Sequence, residues 1–149
     1  MEISSSVDSI MSTNIIVRDE KGKKLHDYDI SNTITKTGRN LLHSFISSPN
    51  YIDGMVLSEQ TNTGATQDMP SDAIISDISD TYFTISGNDI LFNFEANYTP
   101  DDLGGNKTIR SIGLAQGNNL FSVASAGSII AGSTAISILY QIKITLTQA

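Results

Sequence analysis

Apolar and polar side chains alternate along the last part of the chain. The apolar positions fall on every second residue, at Ile136, Ile138, Tyr140, Ile142, Ile144 and Leu146. Because successive side chains of a β-strand point to opposite faces, this period of two predicts one long terminal strand with a buried and a solvent-facing side. The same alternation predicts a second ribbon whose inward positions are Ile90, Phe92, Phe94, Ala96 and Tyr98.

Shorter strands are separated by turn residues. Residues 14–18 and 25–30 flank a charged turn around Gly22 and predict a hairpin. Strand character is also found in residues 53–58, 80–86, 108–115 and 120–124. The polar residues 59–72 predict a long loop, and residues 125–133 a linker of small residues. Loops as long as the first are usually functional or mobile.

Helical spacing occurs in one stretch. Leu41, Leu42, Phe45 and Ile46 share one helical face, and Pro49 prevents continuation of a helix. This pattern predicts a helix over residues 36–47, beginning near Lys36 and ending near Ser47. The fold class predicted is therefore mainly β: an antiparallel β-sandwich or barrel-like domain with one packed α-helix.

Composition sets the domain organisation and excludes several partners. A chain of 149 residues predicts one domain over residues 14–149, preceded by a Ser-rich arm of residues 1–13 that is flexible or docks to a partner. The net charge of −7, with nine scattered Lys and Arg residues, argues against binding to nucleic acid. The sequence has no long apolar run and no signal-peptide pattern, so we expect no membrane insertion.

The residue chemistry offers little for catalysis or for cofactors. Cysteine is absent, and His26 and His43 lie far apart in the sequence without a nucleophile motif. A polysaccharide hydrolase needs paired carboxylates, which Asp101 with Asp102 or Asp77 with Asp80 would supply, but both pairs lie in turn-like sequence. The hydrolase hypothesis uses Asp77 and Asp80. The turn that carries Asp101 lacks the ligand spacing of an EF-hand. We therefore predict no catalytic residue, no metal site and no cofactor.

Three segments resemble small structural proteins of tailed-bacteriophage virions. Residues 33–42 are similar to the phrase I-T-x-x-G-x-N-x-L that opens a helix in that family. Residues 55–66 occupy the place of a strand followed by a polar loop, although the chain has Ser58-Glu59-Gln60 where the family has Gly-Thr-Gly. Residues 108–114 and 119–124 are similar to I-R-E-I-G-L-F and L-F-A-R-A, and Ala115 stands where the family has an aromatic residue.

This resemblance implies a function in assembly. It implies a non-enzymatic virion structural protein, an oligomeric component of a tail fibre, baseplate, collar or head-fibre appendage, assembled in the host cytoplasm and released with the particle. Its expected partners are copies of itself, as trimers or hexamers, and other virion proteins. The alternative is a receptor-recognition module that binds host surface glycan through Tyr51 or Tyr82, because tyrosine rings can stack on sugars.

Overall fold

The computed structural model describes residues 11–30, 32–34, 52–61, 68–87 and 89–145. Within these residues the chain forms ten strands and one short helix. The strands of the first half are β1 (Met11–Asp19), β2 (Lys24–Ile30), β3 (Asn32–Ile34), β4 (Gly54–Ser58) and β5 (Ile74–Asp77). They are followed by β6 (Asp80–Ser86), β7 (Asp89–Tyr98), α1 (Pro100–Leu103), β8 (Lys107–Gln116), β9 (Asn119–Ala131) and β10 (Ile136–Thr145).

The strands form two antiparallel sheets of five strands each. Sheet A has the order β2-β1-β10-β7-β6, and sheet B has the order β3-β9-β8-β4-β5. The terminal strand β10 lies at the centre of sheet A, between β1 and β7. The fold is therefore mainly β and has the form of a sandwich, which confirms the predicted fold class.

The core lies between the two sheets, where the predicted alternation places it. Phe92, Phe94, Ala96 and Tyr98 of β7 are buried, and so are Ile136, Ile138, Tyr140 and Ile142 of β10. Sheet B contributes Met55, Leu57, Ile109, Ile112, Leu114 and Phe121 to the same cluster. β7 and β10 therefore turn one apolar face inward, as a period of two requires. In sheet B, all five residues of β4 are buried, and Val56 packs with Ala115, Leu120 and Val123 in a second, smaller cluster.

The linking segments differ from the prediction in several places. β9 continues to Ala131, so most of the predicted small-residue linker is strand. β3 and β5 were not predicted, because strands of three and four residues are too short to show a period. β1 begins at Met11, inside the predicted arm of residues 1–13. Residues 1–10 and the predicted helix at residues 36–47 lie outside the described residues.

The segment after β7 is a helical turn held by its own side chains. Thr99 caps α1: its hydroxyl accepts a hydrogen bond from the Asp102 N–H (3.1 Å), and the Asp102 carboxylate accepts one from the Thr99 N–H (2.8 Å). This reciprocal capping box satisfies two backbone donors and assigns Asp102 a structural role. No helix in the described part of the chain has the length and hydropathy to span a bilayer.

Candidate functional site

Strand β6 forms one edge of sheet A and carries large apolar side chains on both of its faces. It pairs with β7 on one side and, among the described residues, with no strand on the other. Phe83 and Ile85 are 58% and 69% exposed, and Tyr82 on the opposite face is 41% exposed. An edge strand with free backbone groups and exposed apolar side chains is a template for pairing with another chain. We call residues Asp80–Ser86 with these side chains the β6 edge.

As far as the structure describes the chain, the other three edge strands are shorter or more highly charged than β6. β3 has three residues and β5 has four, so each has few backbone N–H and C=O groups with which another strand could pair. β2 is as long as β6, but its sequence KLHDYDI contains two aspartates, a lysine and a histidine. The β6 sequence DTYFTIS has one charged residue, Asp80, at its start. Short edge strands and charged edge strands are the usual devices that prevent association, and β6 has neither.

Phe83 and Ile85 extend the core face of sheet A beyond the part that sheet B covers. Phe83 is opposite Phe92 in the register, and Ile85 is opposite Ile90. The Phe83 and Phe92 rings are 6.4 Å apart between centroids in a tilted arrangement. Phe92 is buried, whereas Phe83 is largely exposed. The apolar core is therefore open at the β6 edge, where a second surface can cover it.

The outer face of sheet A carries a row of polar side chains that begins at Tyr82. The strand registers place Tyr82, Asn93, Gln141 and Asn14 side by side across four strands. The Gln141 amide donates to Asn93 Oδ1 (2.7 Å), and the Asn14 amide donates to Asp27 Oδ1 (2.9 Å). Burial, together with the nearby Glu95 and Asp80 carboxylates, raises the pKa of the Tyr82 phenol. Asn93 in this row is buried, whereas Tyr82 at its end is exposed.

Three aspartates line a cleft where the two sheets meet. Asp53, Asp77 and Asp80 surround a volume of about 440 Å³ together with Ile52, Ile78, Ser79 and Thr81. Asp53 Oδ1 accepts a hydrogen bond from the Gly117 N–H (3.0 Å), so one of these carboxylates holds the β8–β9 turn. In the described ranges, no three His, Cys, Asp or Glu side chains are grouped so that they could hold a metal ion. The cleft brings together Asp77 and Asp80, the pair considered for a hydrolase.

The start of the predicted long loop is fixed to sheet B by several hydrogen bonds. The Ser58 hydroxyl donates to Asp72 Oδ1 (2.6 Å), and Glu59 Oε2 accepts from the Thr108 N–H (3.0 Å). Arg110 Nη1 donates to the Glu59 carbonyl (3.2 Å). These contacts were not predicted, because the partners are up to 51 residues apart in the sequence. They make residues 58–60 a rigid part of the sheet B surface.

The structure describes one of the two tyrosines that were predicted to contact a glycan. Tyr82 lies exposed on the β6 edge, and Tyr51 lies outside the described residues. Phe83 and Ile85, the most exposed apolar side chains of this edge, were missed. Their signal is present in the sequence, because residues 82–85 place a bulky apolar side chain on both faces where other strands alternate. The sequence does not reveal that this strand lies at an edge.

Comparisons with known proteins give no functional assignment for this chain. No family model, no curated protein and no solved structure matches this chain.

Proposed function

We propose that this protein is a non-enzymatic structural subunit of a tailed-bacteriophage virion, a component of a tail fibre, baseplate, collar or head-fibre appendage that assembles with copies of itself. The observation that carries the proposal is the β6 edge, where Phe83 and Ile85 continue the core face into solvent. Exposed apolar surface of this kind is usual at protein–protein contacts. Assembly in the host cytoplasm and release with the particle belong to the same proposal.

The phage assignment is supported by the resemblance of three sequence segments. Two of them fall on described strands that are neighbours in space. Residues 55–58 lie in β4, and residues 108–114 and 119–124 lie in β8 and β9. These three strands are adjacent in sheet B. The similar phrases therefore make up one continuous patch of sheet, which is what a shared structural unit requires.

Mass spectrometry of purified particles tests the virion assignment. Tailed particles from the strain that encodes the chain are banded by density and washed at high salt. We expect peptides of this protein at a fixed ratio to the major capsid protein, because a structural subunit has a defined copy number. A host cytoplasmic enzyme serves as the control and is expected to fall below detection. Particles that retain infectivity and contain none of the protein would refute the proposal.

The row on the outer face of sheet A favours one second candidate, recognition of a host surface glycan. Asn and Gln side chains each donate and accept hydrogen bonds, which matches the hydroxyl groups of sugars. Asn93 is itself buried and accepts a hydrogen bond from the half-buried Gln141 amide at 2.7 Å, so the orientation of Gln141 is set before a ligand binds. Tyr82 is the exposed aromatic side chain next to this row. The function would then be attachment of the appendage to a cell.

A glycan array with two matched variants tests this candidate. Tyr82→Ala removes the aromatic side chain from the outer face of β6, whereas Phe83→Ala removes one from the opposite face of the same strand. Recognition by the row predicts that Tyr82→Ala loses binding and that Phe83→Ala retains it. Equal binding by both variants, or no binding by the wild type, would exclude the outer face as a glycan site.

A further inference from the structure

We infer that two copies of this protein pair through β6. The inferred contact is antiparallel about a two-fold axis, with Phe83 of one copy opposite Phe83 of the other, so that the two A sheets join into one sheet of ten strands. This inference rests on the proposed function and deepens it, because it identifies the surface by which the subunit associates with itself. A two-fold contact fits the expected hexamer, as three such pairs, and does not fit the expected trimer. A two-fold contact uses the same patch on both copies, so the patch must be complementary to itself.

The β6 sequence meets this requirement when Phe83 is at the centre. Asp80 then lies opposite Ser86 of the second copy, and Thr81 lies opposite Ile85. The two Asp80 positions are separated by six residues along the strand, about 20 Å at the usual rise per residue. No pair of like charges faces across the contact. Tyr82 lies opposite Thr84, a pairing of an aromatic with a β-branched residue that favours sheet formation.

The same register closes the open part of the core. Thr81, Phe83 and Ile85 are on the inward side of β6, because their partners in β7 are Phe94, Phe92 and Ile90. In the pair, the inward side chains of one β6 lie next to those of the other. Phe83 and Ile85 lose their water contact on the side that sheet B leaves open. Burial of this apolar area is the driving force for the association.

The charge of β6 favours a second copy over a different partner. A specific contact with another protein commonly uses complementary charges across the interface. β6 carries a single charge, Asp80, at its first position, and the rest of the strand is neutral. Two copies of such a strand can form apolar contacts and backbone hydrogen bonds with each other. No like charges lie opposite each other in this pairing. Backbone pairing of this kind is the mode by which an extended segment adds to a sheet edge.

Sedimentation velocity over a range of concentrations measures the association. One strand edge buries less than the about 1,600 Å² of a standard interface, so we expect a weak dimer that requires up to about 1 mM protein. Wild-type protein should shift from monomer to dimer over this range. Ile85→Lys should weaken the dimer at least tenfold, because a charge replaces an apolar contact. The matched control is Ile130→Lys, which changes a side chain 80% exposed on β9, and it should dimerise as the wild type does.

A double variant tests the register. Thr81→Glu combined with Ile85→Lys places a glutamate opposite a lysine twice in the inferred pair, so dimerisation should recover relative to Ile85→Lys alone. Circular dichroism checks that each variant is folded, and Ile85→Thr replaces Ile85→Lys if the lysine variant unfolds. Failure of the double variant to recover overturns the register.

The remaining outcomes separate the two proposals. An oligomer that Ile85→Lys leaves intact overturns the β6 contact and leaves self-assembly standing. Wild-type protein that stays monomeric at about 1 mM overturns the inference. The proposed virion function is then tested independently, by the copy number of the protein in purified particles. A different virion protein that binds β6 in particles, in place of a second copy, also overturns the inference.

Discussion

At the scale of single residues, Tyr98 joins the two sheets through one hydrogen bond. Its side chain belongs to β7 in sheet A, and its hydroxyl donates to the Met55 carbonyl of β4 in sheet B at 2.7 Å. Both residues are fully buried. Burial raises the pKa of the Tyr98 phenol, so the group stays neutral and keeps its proton as a donor.

Tyr98→Phe tests this bond. The variant keeps the ring and leaves the Met55 carbonyl without this donor in an environment that water does not reach. We expect the free energy of unfolding to fall by about 1–3 kcal/mol, measured by urea denaturation. The matched control is Tyr82→Phe, which removes an exposed hydroxyl and should change the free energy by less than about 0.5 kcal/mol. Equal effects of the two variants would contradict a structural role for the Tyr98 hydroxyl.

Asp27 is a second residue whose chemistry depends on its neighbours. The Asn14 side chain donates to it at 2.9 Å and Lys24 forms an ion pair with it at 3.0 Å. These contacts, Asn14 foremost, lower the pKa of the Asp27 carboxyl below the ordinary value of 3.8 for an aspartate. A lowered folded-state pKa means that the stabilisation is present above about pH 4 and is lost as the pH falls through the folded pKa.

An NMR titration of the Asp27 carboxyl carbon measures this effect. Asn14→Ala should raise the pKa of Asp27 toward 3.8, since it removes the largest cause of the shift. Asn97→Ala, which changes an exposed amide on β7, is the control and should leave the Asp27 titration unchanged. A titration of Asp27 that Asn14→Ala does not move would contradict the assignment.

At the scale of elements, Gly113 shows how β8 and β9 approach each other. A Cβ atom at this position would lie 2.6 Å from the Ser122 carbonyl oxygen and 2.9 Å from Leu120 Cδ1. Glycine inside a strand commonly marks such a close approach of another backbone. The pairing of β8 with β9 shifts register between Leu114 and Ala115, directly after this contact.

Gly113→Ala should therefore destabilise the protein. We expect a loss of about 1–3 kcal/mol in the free energy of unfolding, because the added methyl group meets backbone atoms that cannot move aside cheaply. Gly54→Ala is a control with the same chemical change. Its Cβ would meet Ile75 Cγ2 at 3.0 Å, on a side chain that is 45% exposed and can shift. Thermal unfolding of both variants gives the comparison, and a Gly113→Ala midpoint equal to that of the wild type would contradict the prediction.

The strands themselves divide into those that the sequence identified and those that it did not. β7 and β10 were found because ten residues show the period of two several times over. The last seven residues of β9 were assigned to a linker, because small residues such as Ala126 and Gly127 carry little hydrophobic signal. Ala126 is nevertheless buried in the core.

At the scale of the whole molecule, buried tyrosines connect stability to alkaline pH. Burial raises the pKa of Tyr98 and of Tyr140 above the ordinary value of 10.0 for a tyrosine. Since the folded pKa values lie above those of the unfolded chain, this part of the stability is complete below about pH 10 and is lost as the pH rises further. Ionisation of these two phenols is therefore coupled to unfolding of the sandwich.

Absorbance at 295 nm, followed with circular dichroism, measures this coupling. We expect exposed Tyr82 to ionise while the fold is intact and the buried tyrosines to ionise together with the loss of β-structure. Tyr82→Phe should remove one phenol from the first step and leave the second step unchanged. Ionisation of all tyrosines before any change in the circular dichroism would contradict the burial of Tyr98 and Tyr140.

The sequence by itself determined the class of the fold and the inward side of its longest strands. Alternation is a local property of the chain, so the buried faces of β7 and β10 can be identified without any partner strand. Only the tertiary structure decided which strand lies at the centre and which at an edge. β10 lies between β1 and β7, both distant from it in sequence, whereas β6 has, among the described strands, only the strand that follows it, β7, as a neighbour. The exposure of Phe83 and Ile85 depends on that order of strands and on where sheet B ends, which no local pattern records.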